Sequence, residues 1–348
     1  MRNAALTHTT AVRHGHELDR GALENYLAGA LADFHGPLEI RQFEGGQSNP
    51  TYFLRTPSRD YVLRKKPPGQ LLASAHAVER EHRVISALAS TAIPVPPALL
   101  KCDDASLVGT PFFIMGCVDG RVFRQPHLPG VSASDRAAMY VDMAGVLARL
   151  HGVDAAAIGL ADYGKPGNYY ARQIGRWGQQ YVAAKTEQID SMDRLMEWLP
   201  AHIPPGDEVA IVHGDYRIEN LIFHPAEPRI VAIVDWELST LGHPLADLAY
   251  NCLTYHLPSE ALGLIDAADS DRAGMPDEAE YVAMYCERAG RRGIPQWNFY
   301  LAFSMFRLAS ILQGVYARGL QGNAASSYAL QRGKAARVIA DIAWRLVR

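Results

Sequence analysis

Cysteine is scarce in this chain of 348 residues, which contains Cys102, Cys117, Cys252 and Cys286 and no others. No two of them have the C-x-x-C spacing that metal-binding or redox pairs use. Scattered cysteines in a chain of this length indicate reduced thiols in a reducing compartment. The sequence therefore predicts a cytoplasmic protein.

Long apolar runs and an excess of charge are absent as well. No stretch of about 18 uncharged apolar residues occurs, so no membrane-spanning helix is predicted. The first twenty residues lack the apolar core of a signal peptide. Lys and Arg number 34 against 37 Asp and Glu, for a net charge of −3, and hydrophobic residues make up 48%. This composition predicts a globular chain of two domains or lobes, with no nucleic-acid or membrane partner.

Several catalytic signatures are missing too. The sequence has no G-x-x-x-x-G-K-[ST] phosphate loop, no G-x-S-x-G nucleophile turn and no H-E-x-x-H zinc motif. It also has no G-x-G-x-x-G after a strand, which argues against a Rossmann domain.

The spacing of the apolar residues divides the chain into a β-rich part and a helical part. Residues 38–118 predict three strands, a helix and two strands. The rest is predicted to be mainly helical, apart from the β-rich stretches "VAIVHGDYRIENLIFH" and "RIVAIVDWE". The polar residues 1–17 are expected to form a loose tail. We predict an α+β, bilobal chain with a small β-rich lobe, residues 1–117, and a larger, mainly helical lobe, residues 118–348.

The stretch "VHGDYRIEN", residues 212–220, has the spacing of the protein-kinase catalytic loop, H-R-D-L-x-x-x-N. Phosphoryl transfer needs a carboxylate that orients the attacking hydroxyl and accepts its proton, with a neutral oxygen donor to Mg²⁺ nearby. Asp215 and Asn220 supply these two groups in one short loop. Taken alone, the stretch is also compatible with an ordinary turn.

A second carboxylate stands at the end of the apolar strand in "IVAIVDWE". Asp235 comes fifteen residues after Asn220, where kinases carry the D-F-G Asp that binds Mg²⁺. Trp236 and Glu237 replace the Phe and the Gly. Mg²⁺ prefers one or two carboxylates together with phosphate and water oxygens, so Asp235 with Asn220 suits it. An Asp that only caps the strand end is the alternative.

The β-rich part carries a cation and a carboxylate in the matching order. The strand "YVLRKK" has Arg64 where kinases have their phosphate-binding Lys, and alternation puts Lys65, the fallback, on the opposite face. The helix that follows offers Glu81, the preferred ion-pair partner of the cation, and Glu79. A solvated, charged strand end is the alternative for this segment.

A glycine pair precedes that strand in "FEGGQSNPTYFL". Gly45 and Gly46 would let backbone N–H groups approach phosphates closely, although a plain hairpin turn has the same composition. Each of these features is weak alone. Their order along the chain, from glycine pair to cationic strand, Glu-bearing helix, catalytic loop and strand-end Asp, favours a phosphoryl-transfer site.

These residues resemble the aminoglycoside phosphotransferase family, over about residues 38–320. "HGDYRIEN" and "VDWE" are the most specific stretches. The resemblance implies a protein-kinase-like fold and phosphorylation of small-molecule hydroxyls. "YVLRKKPPG", "PFFIMGCVDGRVF" and "DWELSTLGHPLADLAY" look like the branch whose kinase-like domain is fused to acyl-CoA dehydrogenase modules in some eukaryotes.

The resemblance implies a role for each matching residue. Asp215 would be the catalytic base, Asn220 and Asp235 the Mg²⁺ ligands, and Arg64 the phosphate-contacting cation paired with Glu81. The remaining implied nucleotide contacts are Gly45, Gly46, Ser48 and Asn49 in the phosphate loop, and Met115 and Cys117 in an adenine-binding hinge at residues 113–117.

Asp247, in "PLADLAY", and His213 are implied as structural supports of the catalytic loop. The expected cofactors are ATP, with GTP as the alternative, and Mg²⁺. The expected substrate is a small-molecule hydroxyl, and the branch favours a hydroxyacyl thioester or another metabolite. The alternatives are an aminoglycoside or choline-type kinase, and a non-catalytic nucleotide-binding pseudokinase. The aromatic residues from Trp297 to Phe306 are predicted to be core.

Overall fold

The computed structural model describes residues 8–44, 49–67, 77–266, 268, 272–321, 330 and 333–348. The chain divides into two compact units. The first unit consists of Met1–Val122, Ala156–Leu160 and Asn220–Ser239. The second unit consists of Phe123–Ala155, Ala161–Glu219 and Thr240–Arg348. The predicted boundary after residue 117 treats the chain as two consecutive stretches, whereas the compact units interleave along it.

Among its described residues, the first unit contains a six-stranded antiparallel sheet, a smaller sheet and two α-helices. The strands of the six-stranded sheet are β1 (Thr9–Thr10), β2 (Glu39–Phe43), β3 (Thr51–Arg55), β4 (Asp60–Lys65), β5 (Ala98–Cys102) and β6 (Phe112–Gly116). The helices are α1 (Arg20–Ala30) and α2 (Val78–Leu88). The strands form one sheet in the order β1-β2-β3-β4-β6-β5. The predicted succession of three strands, a helix and two strands is confirmed by β2 to β6.

The two faces of this sheet have different roles, because successive residues of a strand point to opposite sides. Tyr61 and Leu63 of β4 belong to the apolar cluster that includes the buried leucines of α1. Arg64 points to the other face. It is paired in register with Phe113 of β6, and Met115 lies two residues further along that strand, on the same face. Helix α2 packs against β5 and β6.

A small sheet in the first unit brings the predicted metal ligands to one end of a hairpin. Its strands are β7 (Arg121–Val122), β9 (Leu221–Phe223) and β10 (Ile230–Ile233), in the order β10-β9-β7. The backbone N–H of Val234 donates to the carbonyl of Asn220 at 2.9 Å. Asn220, just before β9, therefore lies next to the segment just after β10, where Asp235 follows.

Residues 8–17 are ordered, and the prediction of a loose tail is wrong for them. β1 pairs with β2 in antiparallel register. The backbone N–H of Arg13 donates to Gln42 Oε1 at 3.0 Å, and the Tyr52 hydroxyl donates to the carbonyl of His16 at 2.8 Å. These partners lie 29 and 36 residues apart in the sequence, so the composition of the N-terminal segment does not reveal them.

The second unit is mainly helical, as predicted. Its helices are α3 (Ala133–His151), α4 (Tyr169–Ala183), α5 (Asp190–Ala201), α6 (Leu245–Asn251), α7 (Ser259–Leu262), α8 (Glu278–Arg288), α9 (Trp297–Leu320) and α10 (Ala335–Val347). Strands β8 (Ala210–Val212) and β11 (Thr240–Gly242) pair antiparallel. The aromatic residues Phe299, Tyr300, Phe303 and Phe306 of α9 are buried, which confirms their prediction as core, whereas Trp297 is only half-buried. Among the described residues, no helix has the length and apolar composition that a membrane crossing requires.

His243 in the second unit predicts a pH dependence of stability. Burial lowers the pKa of His243 to about 4, and its ring lies 5.0 Å from that of Tyr170. Between pH 4 and 6.5 the unfolded chain binds a proton that the folded chain does not, so the free energy of unfolding rises with pH. We expect His243 to account for a loss of roughly 1–2 kcal/mol between pH 7 and pH 5.

Urea unfolding at pH 5 and pH 7 measures this effect. His243→Asn is the comparison variant, since an Asn side chain still offers an acceptor to the Leu245 N–H, which His243 Nδ1 accepts at 3.3 Å. The variant should lose less stability on acidification than the wild type. Equal losses in both proteins would show that His243 does not titrate in this range.

Candidate functional site

The turn after β8 is held in place by a buried carboxylate. The backbone N–H groups of His213 and Gly214 donate to Asp247 Oδ2 and Oδ1 at 2.6 and 2.8 Å. The Arg307 guanidinium donates to the Gly214 carbonyl at 2.6 Å. Gly214 has φ 83°, a conformation that favours glycine. The prediction that Asp247 supports this loop is confirmed by these contacts.

His213 is engaged within the loop. Its side chain is fully buried, and its Nδ1 accepts the backbone N–H of Asp215 at 3.2 Å. His151 lies below the loop, with Nε2 at 3.4 Å from Asp247 Oδ2 and Nδ1 at 2.8 Å from the Tyr285 hydroxyl. Burial acts to raise the pKa of Asp247, but hydrogen bonds from His151 and the backbone hold it below its usual value. The buried carboxylate is therefore kept ionised beneath the loop.

The Asp215 side chain keeps some access to solvent, at 16% exposed. Its Oδ2 lies 3.2 Å from Arg217 Nε, and Arg217 Nη1 pairs with Glu219 at 2.6 Å. Burial and then the Asp215 carboxylate raise the pKa of the Tyr250 hydroxyl above its usual value. Asp215 is thus an oriented carboxylate that a hydroxyl-bearing molecule can reach.

A cavity in the second unit is lined in part by this loop, and another cavity adjoins it. One has a volume of 90 Å³, and its lining includes Arg217 and Tyr250, the neighbours of Asp215, with Tyr140, Met143 and Leu308. The other has a volume of 330 Å³. They share part of their lining, including Pro126, Tyr255, Leu262 and Leu264. The charged residues of the smaller cavity are Arg124, Arg217 and Glu219, of which Glu219 already pairs with Arg217.

The first unit gathers three carboxylates around Arg64. Arg64 Nε lies 2.8 Å from Glu81 Oε2 of α2. The two groups form an ion pair, but the Nε–H bond does not point at the oxygen well enough for a hydrogen bond. Arg64 Nη2 donates to Asp235 Oδ1 at 2.5 Å and to Glu237 Oε2 at 3.2 Å. Glu237 Oε2 also accepts from Asn49 Nδ2 at 3.1 Å. The network joins β4, α2, the segment after β10 and the residue before β3.

Arg64 and Glu81 are buried in this network, whereas the side chains of Asp235 and Glu237 are 33% and 21% exposed. Burial acts to lower the pKa of Arg64, but the three carboxylates raise it above its usual value. Burial raises the pKa of Glu81, while Arg64 and a hydrogen bond from the Trp236 backbone oppose that rise. Three carboxylates against one guanidinium leave an excess of negative charge, which suits a bound cation.

The donor chemistry around Asn220 and Asp235 fits Mg²⁺. Both side chains offer oxygen, the ligand atom that Mg²⁺ prefers, and the hairpin brings their segments together. Asp235 has φ 67°, a strained conformation for a residue other than glycine, which turns the chain sharply after β10. No group of three or more His, Cys, Asp and Glu forms a metal cluster in the part of the chain that the structure describes. A cation here would take its other ligands from phosphate and water.

The other predicted nucleotide contacts are distributed as follows. Gly45, Gly46 and Ser48 lie outside the described residues. Met115 is buried on the Arg64 face of the sheet. The backbone N–H of Cys117 donates to the Asp60 carbonyl at 3.2 Å, so adenine would have to use other backbone groups of this stretch.

The alternatives to Arg64 and Glu81 lie elsewhere. The Lys65 ammonium donates to the Val108 carbonyl, and Lys65 lies on the face of β4 opposite to Arg64. Glu79 pairs with Lys66. The geometry therefore favours Arg64 and Glu81 as the ion pair of the site.

Sequence reasoning missed two of the groups around these residues. Glu237 was predicted only to replace the glycine of D-F-G, although a carboxylate two residues after the predicted metal ligand Asp235 could also reach Arg64. Arg307 carried no sequence signal, since it lies in the middle of α9. Its guanidinium carbon lies 5.2 Å from the Tyr250 ring and 5.6 Å from the Trp177 ring.

Comparison with known proteins finds a matching family and relatives in sequence. A profile of the phosphotransferase enzyme family matches residues 39–296. Acyl-CoA dehydrogenase family member 10 of Mus musculus is 49% identical over 339 residues, which make up 97% of this chain and 32% of that protein. The chain spans less than half the length of the curated relatives it matches.

Solved structures agree. A Ralstonia eutropha JMP134 protein described as a candidate aminoglycoside phosphotransferase has a TM-score of 0.85 and 49% identity, covering 95% of this chain and 98% of that one. The aminoglycoside phosphotransferase APH(4)-Ia, bound to AMP-PNP and hygromycin B, has a TM-score of 0.61 and 16% identity, covering 94% and 98%. The second likeness shows the fold alone. The predicted α+β, kinase-like fold is confirmed.

Proposed function

The chain belongs to the phosphotransferase enzyme family, and on that premise we propose that it transfers the γ-phosphoryl group of ATP to a hydroxyl of a small molecule. The predicted family and its fused acyl-CoA dehydrogenase relatives are confirmed, and with them the phosphotransferase class. One observation carries the proposal for this chain. Asp215 stands on a loop that Asp247 and Arg307 hold by its backbone, with its carboxylate accessible.

Asp215 would act on the acceptor. Its carboxylate takes the hydroxyl proton while the hydroxyl oxygen forms a bond to the γ-phosphorus, and the bond from that phosphorus to the β-phosphate bridging oxygen breaks, which releases ADP. Arg217 orients the carboxylate and shares its charge. Because the phosphoryl group moves in line between two oxygens, positioning supplies most of the catalysis.

The first unit would hold the nucleotide. Arg64 would contact phosphate oxygens, Glu81 would anchor the guanidinium, and Asn220 with Asp235 would hold Mg²⁺. When bound, Mg²⁺ neutralises charge on the phosphates. The backbone around Gly45, Gly46, Ser48 and Asn49 and the hinge of Met115 and Cys117 would supply the remaining nucleotide contacts, for ATP or, alternatively, GTP.

The lining of the cavities favours a neutral or anionic acceptor with an apolar portion. The charged residues of the smaller cavity are Arg124 and the ion pair of Arg217 with Glu219, so its lining carries no excess of negative charge. A polycationic aminoglycoside or a choline-type cation would meet the positive charge of Arg124 there, and the acidic residue of the lining is already paired with Arg217. A hydroxyacyl thioester or a related metabolite fits this lining better. The four described cysteines are all free, in keeping with the cytoplasm, where we place this activity.

The test is a panel of hydroxyl compounds scored by ADP release, with hydroxyacyl-CoAs, choline and aminoglycosides included. Thermal-shift titration with ATP and GTP, with and without Mg²⁺, reports binding separately. We expect Mg²⁺-dependent binding and the fastest ADP release with a hydroxyacyl-CoA. Nucleotide binding without ADP release across the panel would favour the pseudokinase alternative.

Leu308 offers a direct test of the cavity as the acceptor site. Leu308 lines the smaller cavity from α9. Leu308→Trp should narrow it and raise the KM for the acceptor by about tenfold, because the added ring occupies acceptor volume. The KM for ATP should stay within about twofold. Steady-state kinetics with each substrate varied in turn measures both.

Leu320→Trp is the matched control. Leu320 lies on the same helix but is 57% exposed, so a larger side chain there meets solvent. It should leave both KM values unchanged. An unaltered acceptor KM in Leu308→Trp would place the acceptor elsewhere.

A further inference from the structure

We propose that Glu237 is a positioning residue for Arg64, and that the Arg64–Glu237 pair together does the work of a single phosphate-binding lysine. The inference rests on the proposed function, since it concerns the nucleotide side of that site. It assigns a role to Glu237, which stands where the D-F-G pattern of kinases has a glycine.

The guanidinium of Arg64 is held at two separate points. Its Nε lies 2.8 Å from Glu81 Oε2, and its Nη2 lies 3.2 Å from Glu237 Oε2. Arg has several donors in a rigid, planar fork, whereas Lys has one nitrogen at the end of a flexible chain. A lysine could not reach the two carboxylates from the two ends of a fork. An arginine at this position therefore has a use for a second carboxylate.

A bound Mg²⁺ would compete with Arg64 for Asp235 during the reaction. Arg64 Nη2 donates to Asp235 Oδ1 at 2.5 Å, but Asp235 is also the proposed Mg²⁺ ligand. A lone pair of Asp235 that binds Mg²⁺ can no longer accept a hydrogen bond from Arg64. The Asp235 carboxylate then faces two positive charges, Mg²⁺ and the guanidinium. Glu237 keeps an acceptor at Nη2 when this happens. Its role is to hold the guanidinium at the phosphates while Asp235 serves the metal.

Glu237 also reaches the end of the glycine-rich stretch. Its Oε2 accepts from Asn49 Nδ2 at 3.1 Å, and Asn49 is fully buried. The Thr51 hydroxyl donates to the Asn49 carbonyl at 3.0 Å, which ties this residue to the start of β3. One carboxylate oxygen therefore contacts both the proposed phosphate-binding cation and Asn49, the last residue of the predicted phosphate loop.

The sign of the effect separates positioning from simple charge. Glu237→Gln removes one negative charge beside the nucleotide site, so electrostatics alone would tighten the binding of anionic ATP. If Glu237 positions Arg64, the same change weakens binding, because the amide cannot serve as a charged acceptor for the guanidinium. The two explanations predict opposite shifts in the same dissociation constant.

Isothermal titration of MgATP into the full chain tests this, with a parallel titration of MgGTP. We expect Glu237→Gln to raise the dissociation constant about tenfold. Arg64→Lys should raise it by a similar factor. The double variant should be no weaker than Arg64→Lys within about twofold, because Glu237 acts through the guanidinium fork. Glu237→Asp, which keeps the charge at a shorter reach, should fall between wild type and Glu237→Gln, and it reports on the same contact should Glu237→Gln fold poorly.

Glu227→Gln is the matched control. Glu227 lies in the first unit, is 56% exposed and pairs with Arg229, so its loss should leave MgATP affinity unchanged. Unchanged or tighter MgATP binding in Glu237→Gln would overturn the role of Glu237. So would a double variant whose loss of affinity is the product of the two single losses, because the two residues would then act independently. Either result leaves the proposed function standing. A wild-type chain that binds neither nucleotide would instead overturn the proposed function, and this inference with it.

Discussion

Replacing Asp215 with Asn should lower kcat by about 10²- to 10⁴-fold while leaving nucleotide affinity within about twofold. The amide has the shape of the carboxylate but cannot accept the proton of the attacking hydroxyl. It also loses the charge that pairs with Arg217 Nε at 3.2 Å. ADP release with the best acceptor of the panel measures turnover, and titration calorimetry with MgATP measures binding.

The loss must come from chemistry and not from unfolding. Glu287 is 81% exposed in the second unit, so Glu287→Gln should behave as the wild type in both assays. The unfolding midpoint of Asp215→Asn should stay close to that of the wild type, because the loop backbone is held by Asp247 and Arg307. A variant that keeps more than a tenth of wild-type kcat would rule out Asp215 as the base.

Asp247→Ala is expected to have the largest effect on stability, a loss of about 3–5 kcal/mol. The side chain is 1% exposed and accepts the backbone N–H groups of His213 and Gly214. Alanine leaves both donors buried without that acceptor, and it leaves His151 without its carboxylate neighbour at 3.4 Å. This loss is a large part of the 5–15 kcal/mol by which folded domains are typically stable. Urea unfolding of the full chain followed by circular dichroism measures it.

Two further variants interpret that result. Glu287→Ala, at an exposed position, should change the free energy of unfolding by less than about 0.5 kcal/mol. Asp247→Asn keeps one oxygen acceptor but turns an amide N–H toward a backbone N–H, so its stability should fall between Asp247→Ala and the wild type. We also expect a lower kcat in Asp247→Asn, because a displaced loop moves the Asp215 carboxylate from the acceptor. A loss of less than about 1 kcal/mol in Asp247→Ala would contradict the bracing role.

Local patterns made much of the fold predictable. The alternation of β4 put Arg64 and Lys65 on opposite faces, and the helical spacing of α2 placed Glu81 on its buried side. Both placements follow from backbone geometry, which repeats every two residues in a strand and every 3.6 residues in a helix, so the pattern of neighbouring residues is enough to predict them. The ion pair of Arg64 with Glu81, at 2.8 Å, was therefore predicted from the sequence and is present in the structure. The roles of Asp215, Asn220 and Asp235 in catalysis stay predictions, which the variants above test.

Contacts between distant residues were not predictable in this way. The N-terminal strand β1, the interleaving of the two units and the contact of Glu237 with Asn49, which lies 188 residues away, depend on how the whole chain folds. The adjoining cavities of the second unit likewise draw their linings from segments far apart in sequence. A sequence window holds no information about such partners.

By itself, the sequence determined the class of site: the types and order of the chemical groups, and the spacing of the loop that carries Asp215. These depend on short-range geometry, which a motif records. The tertiary structure alone decided how the groups are supported, with a buried Asp247 beneath the loop and Glu237 beside Arg64. It did so because burial removes water from these charges, so each of them needs a protein partner that only the folded chain brings within reach.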